Sequence, residues 1–316
     1  MGVTADGVGR RWLILERRGS PQCHWKWLAK RFVQLQVAML GLLLLGMVTE
    51  PGVSGAVPVA QPLYYVSLGD SYAVGFQFLP AVGSTPGYTA YVAKKEHMTL
   101  ENFGCAGATT SSIISSTGCS FPAASNAVSY PTQTQAAAAD SFIAAHPGQV
   151  GLITVSIGGN DITGCESAAD PMTCVNSADA TMTTDVDNLV SGLRAAAGPG
   201  VPIMGLTYPD VVLGAWVYPH GSSNQSLASV SVTAFRTLFN PTLKAAYATV
   251  GGLFADVTAA TGAYGSFSTL VHSHYGTVPL PVAEVCKLTW ACRIGDIHAN
   301  PKGYKVEAKL IVQTLG

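Results

Sequence analysis

Charged residues are scarce in this chain of 316 residues, where Asp, Glu, Lys and Arg together make up 11% and hydrophobic residues 48%. A disordered protein has the opposite balance, so the composition predicts a folded domain with a large hydrophobic core. A basic cluster is also lacking after residue 56, where ten Lys and Arg stand against 15 Asp and Glu. Nucleic acid is therefore not an expected partner, because phosphate binding requires a basic surface.

The chain lacks an apolar run long enough to cross a bilayer. The run Val37–Val48 has twelve residues. As a helix it would measure about 18 Å, against about 30 Å for the hydrocarbon core of a membrane. Seven Lys and Arg precede this run, and the small residues Ser54 and Ala56 follow it. This order predicts a secretory signal peptide over residues 1–56, with a long basic n-region. An uncleaved membrane anchor and a start codon further downstream are the alternatives.

The cysteines lack the C-x-x-C spacing that is typical of many metal sites. Cys23 lies in the predicted signal peptide, which leaves six cysteines in the rest of the chain. An even number in an exported protein predicts disulfides, although six cysteines allow 15 connectivities. Because the six occur as three local pairs along the chain, we expect these disulfides: Cys105–Cys119, Cys165–Cys174 and Cys286–Cys292.

Short apolar segments alternate with segments of helical character, and neither an internal repeat nor a second type of composition is present. This alternation predicts one α/β domain over residues 57–316, a three-layer α/β/α sandwich with a central parallel sheet. The predicted strands are Leu63–Leu68, Thr99–Phe103, Val150–Ile157, Val201–Leu206 and Leu253–Val257. The predicted helices are Tyr88–Met98, Gln133–Ala145, Asp179–Ala197, Leu227–Val250 (with a break at Pro241 left open) and Gly303–Leu315.

Polar and glycine-rich loops follow three of the predicted strands. They are Gly69–Tyr72, Asn102–Thr109 and Ile157–Asp161. Ligands of parallel α/β sheets bind beyond the carboxyl ends of the strands, so these loops are expected to line one crevice. Ser71 could present a hydroxyl there, and Asn160 could donate a side-chain N–H to an oxyanion. A helix N-cap for the first loop and plain turns for the other two are the structural alternatives.

His298 is the candidate general base, in the stretch Gly295–Pro301 that precedes the last predicted helix. A serine hydroxyl is a weak nucleophile until a neighbouring base takes its proton, and a histidine at this place could be that base. The alternative is a structural role, which is the more common one for a single histidine. His272 and His274 are the rival candidates, and their H-x-H spacing could instead bind a metal ion.

Taken together, four motifs resemble those of the SGNH (GDSL) hydrolases, in the same order and over essentially the whole mature chain. They are Gly-Asp-Ser after the first strand, a glycine loop after the second, Gly-x-Asn-Asp after the third and Asp-x-His-x-Asn-Pro near the end. The resemblance implies that Ser71 is the nucleophile and His298 the base. It also implies an oxyanion hole formed by the N–H groups of Ser71 and Gly107 and by the side chain of Asn160. The three cysteine pairs are similar to those of secreted actinobacterial members.

The last motif departs from the family pattern. The family commonly places an acid three residues before the histidine, a position that Gly295 occupies here, whereas Asp296 is two residues before it. The third member of a catalytic triad mainly sets the tautomer and the orientation of the histidine ring. Either Asp296 or a backbone carbonyl such as that of Gly295 could therefore orient the Nδ1–H of His298.

The resemblance implies a secreted serine esterase or lipase that hydrolyses carboxylic esters through an acyl-enzyme intermediate. Such a mechanism needs no metal ion or organic cofactor, and we expect a monomer that acts on a small-molecule or lipid ester. G-x-S-x-G is absent around Ser71 and H-E-x-x-H is absent from the chain, which disfavours an α/β-hydrolase fold and a zinc protease. A carbohydrate acetylesterase of the same fold and a non-catalytic module that binds glycans or lipids are the alternatives.

Two groups of residues are candidates for the walls of an acyl pocket. The stretch Tyr208–Asn224 has few signals of regular structure and could form part of a substrate wall. Six aromatic residues in predicted loops could line the pocket, although simple packing would account for them equally well. They are Trp216, Tyr218, Tyr264, Phe267, Tyr275 and Trp290.

Overall fold

A central parallel sheet organises the protein. The computed structural model describes residues 63–78, 86–121, 123, 127–220 and 224–316. The strands of the sheet are Tyr64–Gly69 (β1), Thr99–Asn102 (β2), Val150–Ser156 (β3), Ile203–Leu206 (β4) and Leu253–Ala255 (β5). They hydrogen-bond in the order β2-β1-β3-β4-β5, and every neighbouring pair is parallel. An antiparallel hairpin of Leu270–Ser273 (β6) and Gly276–Pro279 (β7) lies outside this sheet.

Helices flank the sheet. Their bounds are Ser71–Val74 (α1), Tyr88–Lys95 (α2), Thr110–Ser115 (α3), Gln135–Ala145 (α4), Gly159–Ile162 (α5), Pro171–Ala197 (α6), Gln225–Ala234 (α7), Asn240–Thr249 (α8), Val257–Ala260 (α9), Leu280–Leu288 (α10), Ala291–Ile294 (α11) and Pro301–Leu315 (α12). Helices α4, α6 and α8 pack together, as do α2 and α12. Nearly every residue of β1 and β3 is buried, as both faces of a parallel sheet require. The predicted α/β/α sandwich is confirmed.

One helix begins earlier than predicted, and another settles a point that the sequence left open. Helix α6 begins at Pro171 rather than Asp179, because the Asp170 side chain caps it by accepting the N–H of Thr173 and a proline suits the first turn. The chain also remains helical through Pro241, since a single π turn over Phe235–Phe239 joins α7 to α8. Pro241 lies in the first turn of α8, where a missing N–H does little harm.

The predicted signal peptide of residues 1–56 lies outside the described residues, and it stays a prediction. Among the residues that the structure describes, no helix combines the length and the apolar character needed to cross a membrane.

Candidate active site

The strand order reverses beside β1, and two candidate residues lie at this point. From β1 the chain passes to β2 on one side, and β3 then returns to the other side of β1. Open α/β sheets bind ligands at such a switch point, beyond the carboxyl ends of the strands. Ser71 begins α1 directly after β1, and Asn160 lies in α5 directly after β3. The topology therefore brings two residues that are distant in sequence to one crevice.

Gly69 ends β1 where the chain has no room for a side chain. It has a φ of +134°, and a Cβ at this position would overlap the backbone oxygen of Ser156. The Gln135 side chain holds the same glycine from α4: its oxygen accepts the Gly69 N–H at 2.6 Å, and its amide donates to the Gly69 carbonyl at 3.1 Å. Gln135 was not identified from the sequence. The one signal in the sequence was that a polar residue begins an alanine-rich helix.

Ser71, His298 and Asp296 form a continuous series of hydrogen bonds. Ser71 Oγ lies 2.8 Å from His298 Nε2, and His298 Nδ1 lies 2.6 Å from Asp296 Oδ1. The serine and the histidine are 7% and 9% exposed. A carboxylate beside Nδ1 keeps the proton on that nitrogen and leaves Nε2 free to accept the serine proton.

The Asp296 carboxylate occupies the position that the sequence left open between Asp296 and the Gly295 carbonyl. Gly295 instead ends α11 with a φ of +69°, a left-handed conformation that turns the chain directly before Asp296. The other oxygen of Asp296, Oδ2, accepts the backbone N–H of Phe78 at 3.4 Å. The loop after α1 therefore helps to hold this carboxylate in place.

The rival histidines lie on the hairpin, where both are exposed. His272 belongs to β6 and His274 to the turn before β7. The contact with Ser71 is made by His298. Within the described ranges, no group of three or more His, Cys, Asp or Glu side chains is arranged to hold a metal ion.

The loops that carry Asn160 and Gly107 are joined by hydrogen bonds. The Asn160 amide donates to the backbone oxygen of Ala108 at 2.8 Å. Its neighbour Asp161 accepts the N–H and the hydroxyl of Thr110 at 3.0 and 2.6 Å. Burial raises the pKa of the Asp161 carboxyl, and these two donors oppose that rise. Gly107 has a φ of +79°, so this loop requires a glycine at the position of the second candidate donor.

An apolar pocket opens beside Ser71 and Asn160. The space between its walls, including its open mouth, is about 840 Å³. Its walls come from the segment after β3, the start of α6, the segment after β4 and helix α7. Most of its lining side chains are apolar, and they include Ile162, Val175, Val211, Val212, Leu227, Val230 and Phe235.

The aromatic candidates for the acyl pocket lie elsewhere, and none of the six lines the pocket beside Ser71. Trp216 packs against Phe267, with ring centroids 5.5 Å apart, in a second small core that includes residues of α10. The other candidate wall, Tyr208–Asn224, contributes its first residues to the pocket. Apolar side chains in loops pack and line pockets equally well, so their type alone does not distinguish the two roles.

Three disulfides brace the loops around the site. They join Cys105 to Cys119, Cys165 to Cys174 and Cys286 to Cys292, the three local pairs that the sequence predicted. The first lies on the glycine loop, the second borders the apolar pocket, and the third precedes the segment that carries the histidine.

Fold and site together define a class of protein. A serine, a histidine and a carboxylate in hydrogen-bonded series are the arrangement of the serine hydrolases, and here they lie at the switch point of a parallel α/β sheet. More narrowly, the chain belongs to the GDSL-like lipase/acylhydrolase family, whose family model matches residues 67–306. The resemblance to SGNH (GDSL) hydrolases is thereby confirmed.

Several solved structures are similar to this chain. Phospholipase A1 from Streptomyces albidoflavus is 18% identical, with a TM-score of 0.48, and the match covers 80% of this chain and 100% of that one. An extracellular lipase from Streptomyces rimosus is 18% identical, with a TM-score of 0.49 and coverage of 80% and 99%. An acetylxylan esterase from Geobacillus stearothermophilus is 17% identical, with a TM-score of 0.42 and coverage of 80% and 94%. No curated protein matches the chain. Similarities of this size identify no substrate.

Proposed function

We propose that this protein is an exported serine esterase or lipase that hydrolyses carboxylic esters through an acyl-enzyme intermediate. The observation that carries the proposal is the 2.8 Å contact between Ser71 Oγ and His298 Nε2 beside an apolar pocket. Membership of a family of lipases and acylhydrolases supports an ester as the substrate. A module that only binds glycans or lipids would have no need of a histidine placed to take the serine proton.

In the proposed reaction, His298 takes the proton of Ser71 while the serine oxygen attacks the ester carbonyl. The tetrahedral oxyanion accepts hydrogen bonds from the N–H groups of Ser71 and Gly107 and from the Asn160 amide. Protonated His298, held by Asp296, gives its proton to the leaving alcohol, and the acyl group remains on the serine. The same histidine then activates a water molecule that releases the acid.

The apolar lining of the pocket favours a longer acyl chain over the acetyl group of a carbohydrate acetylesterase. An acetyl group would leave much of the lining on α7 and after β4 uncovered. Each CH₂ group that becomes buried contributes about 0.8 kcal/mol, which corresponds to a roughly fourfold rise in kcat/KM. We therefore expect kcat/KM to rise with chain length until the pocket is filled.

Hydrolysis of p-nitrophenyl esters from acetyl to palmitoyl tests the proposal. We expect turnover by the wild type with an optimum beyond acetyl, and none above background for Ser71→Ala. Ser229→Ala, on the exposed face of α7, is the matched control and should behave as the wild type does. Equal hydrolysis by Ser71→Ala and the wild type would refute the role of Ser71 as nucleophile. No hydrolysis by a folded wild type would favour a binding module. An optimum at acetyl would favour the acetylesterase.

Export is a separate part of the proposal. Disulfides persist in oxidising compartments, and the three in this protein support an extracellular location. The full-length chain should be expressed in a secreting bacterial host, and the protein in the medium should begin at Val57. Protein that stays in the membrane fraction with its N-terminus intact would contradict cleavage after Ala56.

A further inference from the structure

Tyr208 joins the loop after β4 to the two loops that carry the proposed nucleophile and oxyanion donor. The residue is buried, and its hydroxyl donates to Asp70 Oδ2 at 2.7 Å. Its ring meets that of Tyr72 edge to face, with centroids 5.0 Å apart. The ring also lies over Gly159, where a Cβ would come within 3.0 Å of it. Tyr208 therefore contacts the segments that follow both β1 and β3.

Asp70, directly before the proposed nucleophile, is the acceptor at the centre of these contacts. Its Oδ1 accepts the backbone N–H of Tyr72 at 2.9 Å and so caps α1. Its Oδ2 accepts from Tyr208 and also lies 3.5 Å from Asn160 Nδ2. Burial raises the pKa of the Asp70 carboxyl to about 6, and the hydrogen bond from Tyr208 opposes that rise. The donors Tyr72 and Tyr208 favour the ionised form of this carboxyl, and a carboxylate accepts hydrogen bonds strongly.

The Asn160 amide has two hydrogens and more than two possible acceptors. One hydrogen goes to the backbone oxygen of Ala108 at 2.8 Å. The second can serve an oxyanion only where Asp70 does not hold it. At 2.7 Å the Tyr208 hydroxyl is the principal donor to Asp70 Oδ2, whereas the Asn160 amide at 3.5 Å is at the limit of a hydrogen bond.

We propose that Tyr208 is a positioning residue for ester hydrolysis, which by donating to Asp70 leaves the Asn160 amide free to bind the oxyanion. This role rests on the proposed function, and it belongs to the hydroxyl alone, although the ring of Tyr208 lines the acyl pocket. Without the hydroxyl, Asp70 Oδ2 would draw the amide of Asn160 toward itself. The oxyanion would then lose a donor in both acylation and deacylation.

Tyr208→Phe removes the hydroxyl and keeps the ring. Because loss of one oxyanion donor lowers kcat by about 10²–10³-fold, a donor that is displaced but still present should lower it by roughly 10–100-fold. The KM for a butyryl ester should stay within about twofold, since the lining of the pocket is unchanged. Tyr247→Phe is the matched control: Tyr247 is a buried tyrosine of α8 that packs against Gly205 of β4. It should retain the kcat of the wild type.

A double-mutant cycle with Asn160→Ala shows whether the effect passes through this amide. If it does, adding Tyr208→Phe to Asn160→Ala should change kcat by less than about twofold. All variants are compared below their melting temperatures. A wild-type kcat for Tyr208→Phe, or the full loss again in the Asn160→Ala background, would overturn the proposal.

A spectroscopic measurement separates this proposal from the proposed function. The side-chain amide signals of Asn160, assigned from their loss in Asn160→Ala, should shift in ¹H–¹⁵N spectra of Tyr208→Phe and stay in place in Tyr247→Phe. Unshifted signals in Tyr208→Phe would overturn the role of Tyr208 even where the wild type hydrolyses esters. Shifted signals in a protein that hydrolyses no ester would support the hydrogen-bond link and refute the proposed function alone.

Discussion

Replacing Asp296 with alanine tests which group orients His298. Asp296 Oδ1 lies 2.6 Å from His298 Nδ1, and its Oδ2 accepts the backbone N–H of Phe78 at 3.4 Å. The Asp296 side chain is only 13% exposed, so little water competes for it. Asp296→Ala removes both contacts and leaves the histidine ring without this acceptor.

The expected loss follows from the charge that develops on His298 during the reaction. When the ring takes the proton of Ser71, it becomes a cation beside the carboxylate of Asp296. Two unit charges about 4 Å apart attract by about 4 kcal/mol at an effective dielectric constant of about 20. A neutral ring in the ground state gains much less, so the loss should lower kcat by about 10³-fold. KM should change little, because Asp296 does not line the pocket.

The assay is kcat and KM for a butyryl p-nitrophenyl ester at neutral pH. Asp256→Ala is the matched control, because it removes a partly buried aspartate that caps α9 and accepts hydrogen bonds from Ala259 and Asn240. This control should retain the kcat of the wild type. A kcat for Asp296→Ala above about a tenth of the wild-type value would refute the reasoning. It would return the orienting role to a backbone carbonyl such as that of Gly295.

Two further predictions concern stability and the shape of the pocket. Burial raises the pKa of Asp210 to about 7, whereas an unfolded chain has an aspartate pKa of about 3.9. The folded protein therefore binds more protons than the unfolded chain between about pH 4 and pH 7, and stability is lost as pH rises through this window. Asp210→Asn removes this loss of stability at higher pH. The melting temperature of the variant minus that of the wild type should therefore rise from pH 4 to pH 7, and a difference that does not depend on pH would contradict this. Replacing Cys165 and Cys174 with alanine should lower the free energy of unfolding in urea by roughly 2–3 kcal/mol. Because Cys165 lines the pocket, this double replacement should also slow the hydrolysis of long-chain esters more than that of the acetyl ester. Replacing Cys286 and Cys292 with alanine should leave the chain-length profile unaltered. An equal change of this profile in the two double variants would contradict the assignment of Cys165 to the pocket wall.

The fold class was predictable because its signals are local. Strands β1 and β3 are short apolar runs that are buried on both faces. Glycine ends the apolar run in both cases, at Gly69 after β1 and at Gly158 after β3. Helix α6 shows the limit of periodicity, since its first turns from Pro171 onward are largely exposed or half-buried and carry little apolar pattern. The hairpin was missed for a related reason: Leu270 on β6 is 62% exposed, so its apolar side chain does not mark a buried face.

The sequence by itself determined the class of protein. Four short motifs, each at a junction between a strand or loop and the next helix, contain the serine, asparagine and histidine that ester hydrolysis requires, and their order is that of a known family. Only the tertiary structure decided which groups meet. Asp296 contacts His298 Nδ1, mostly apolar rather than specifically aromatic side chains line the pocket, and the Tyr208 hydroxyl reaches Asp70 across 138 residues of chain. A motif at a junction can be recognised in the sequence because it consists of neighbouring residues. Contacts between separate loops depend on the order of the strands in the sheet, and the spacing of residues along the chain does not specify that order.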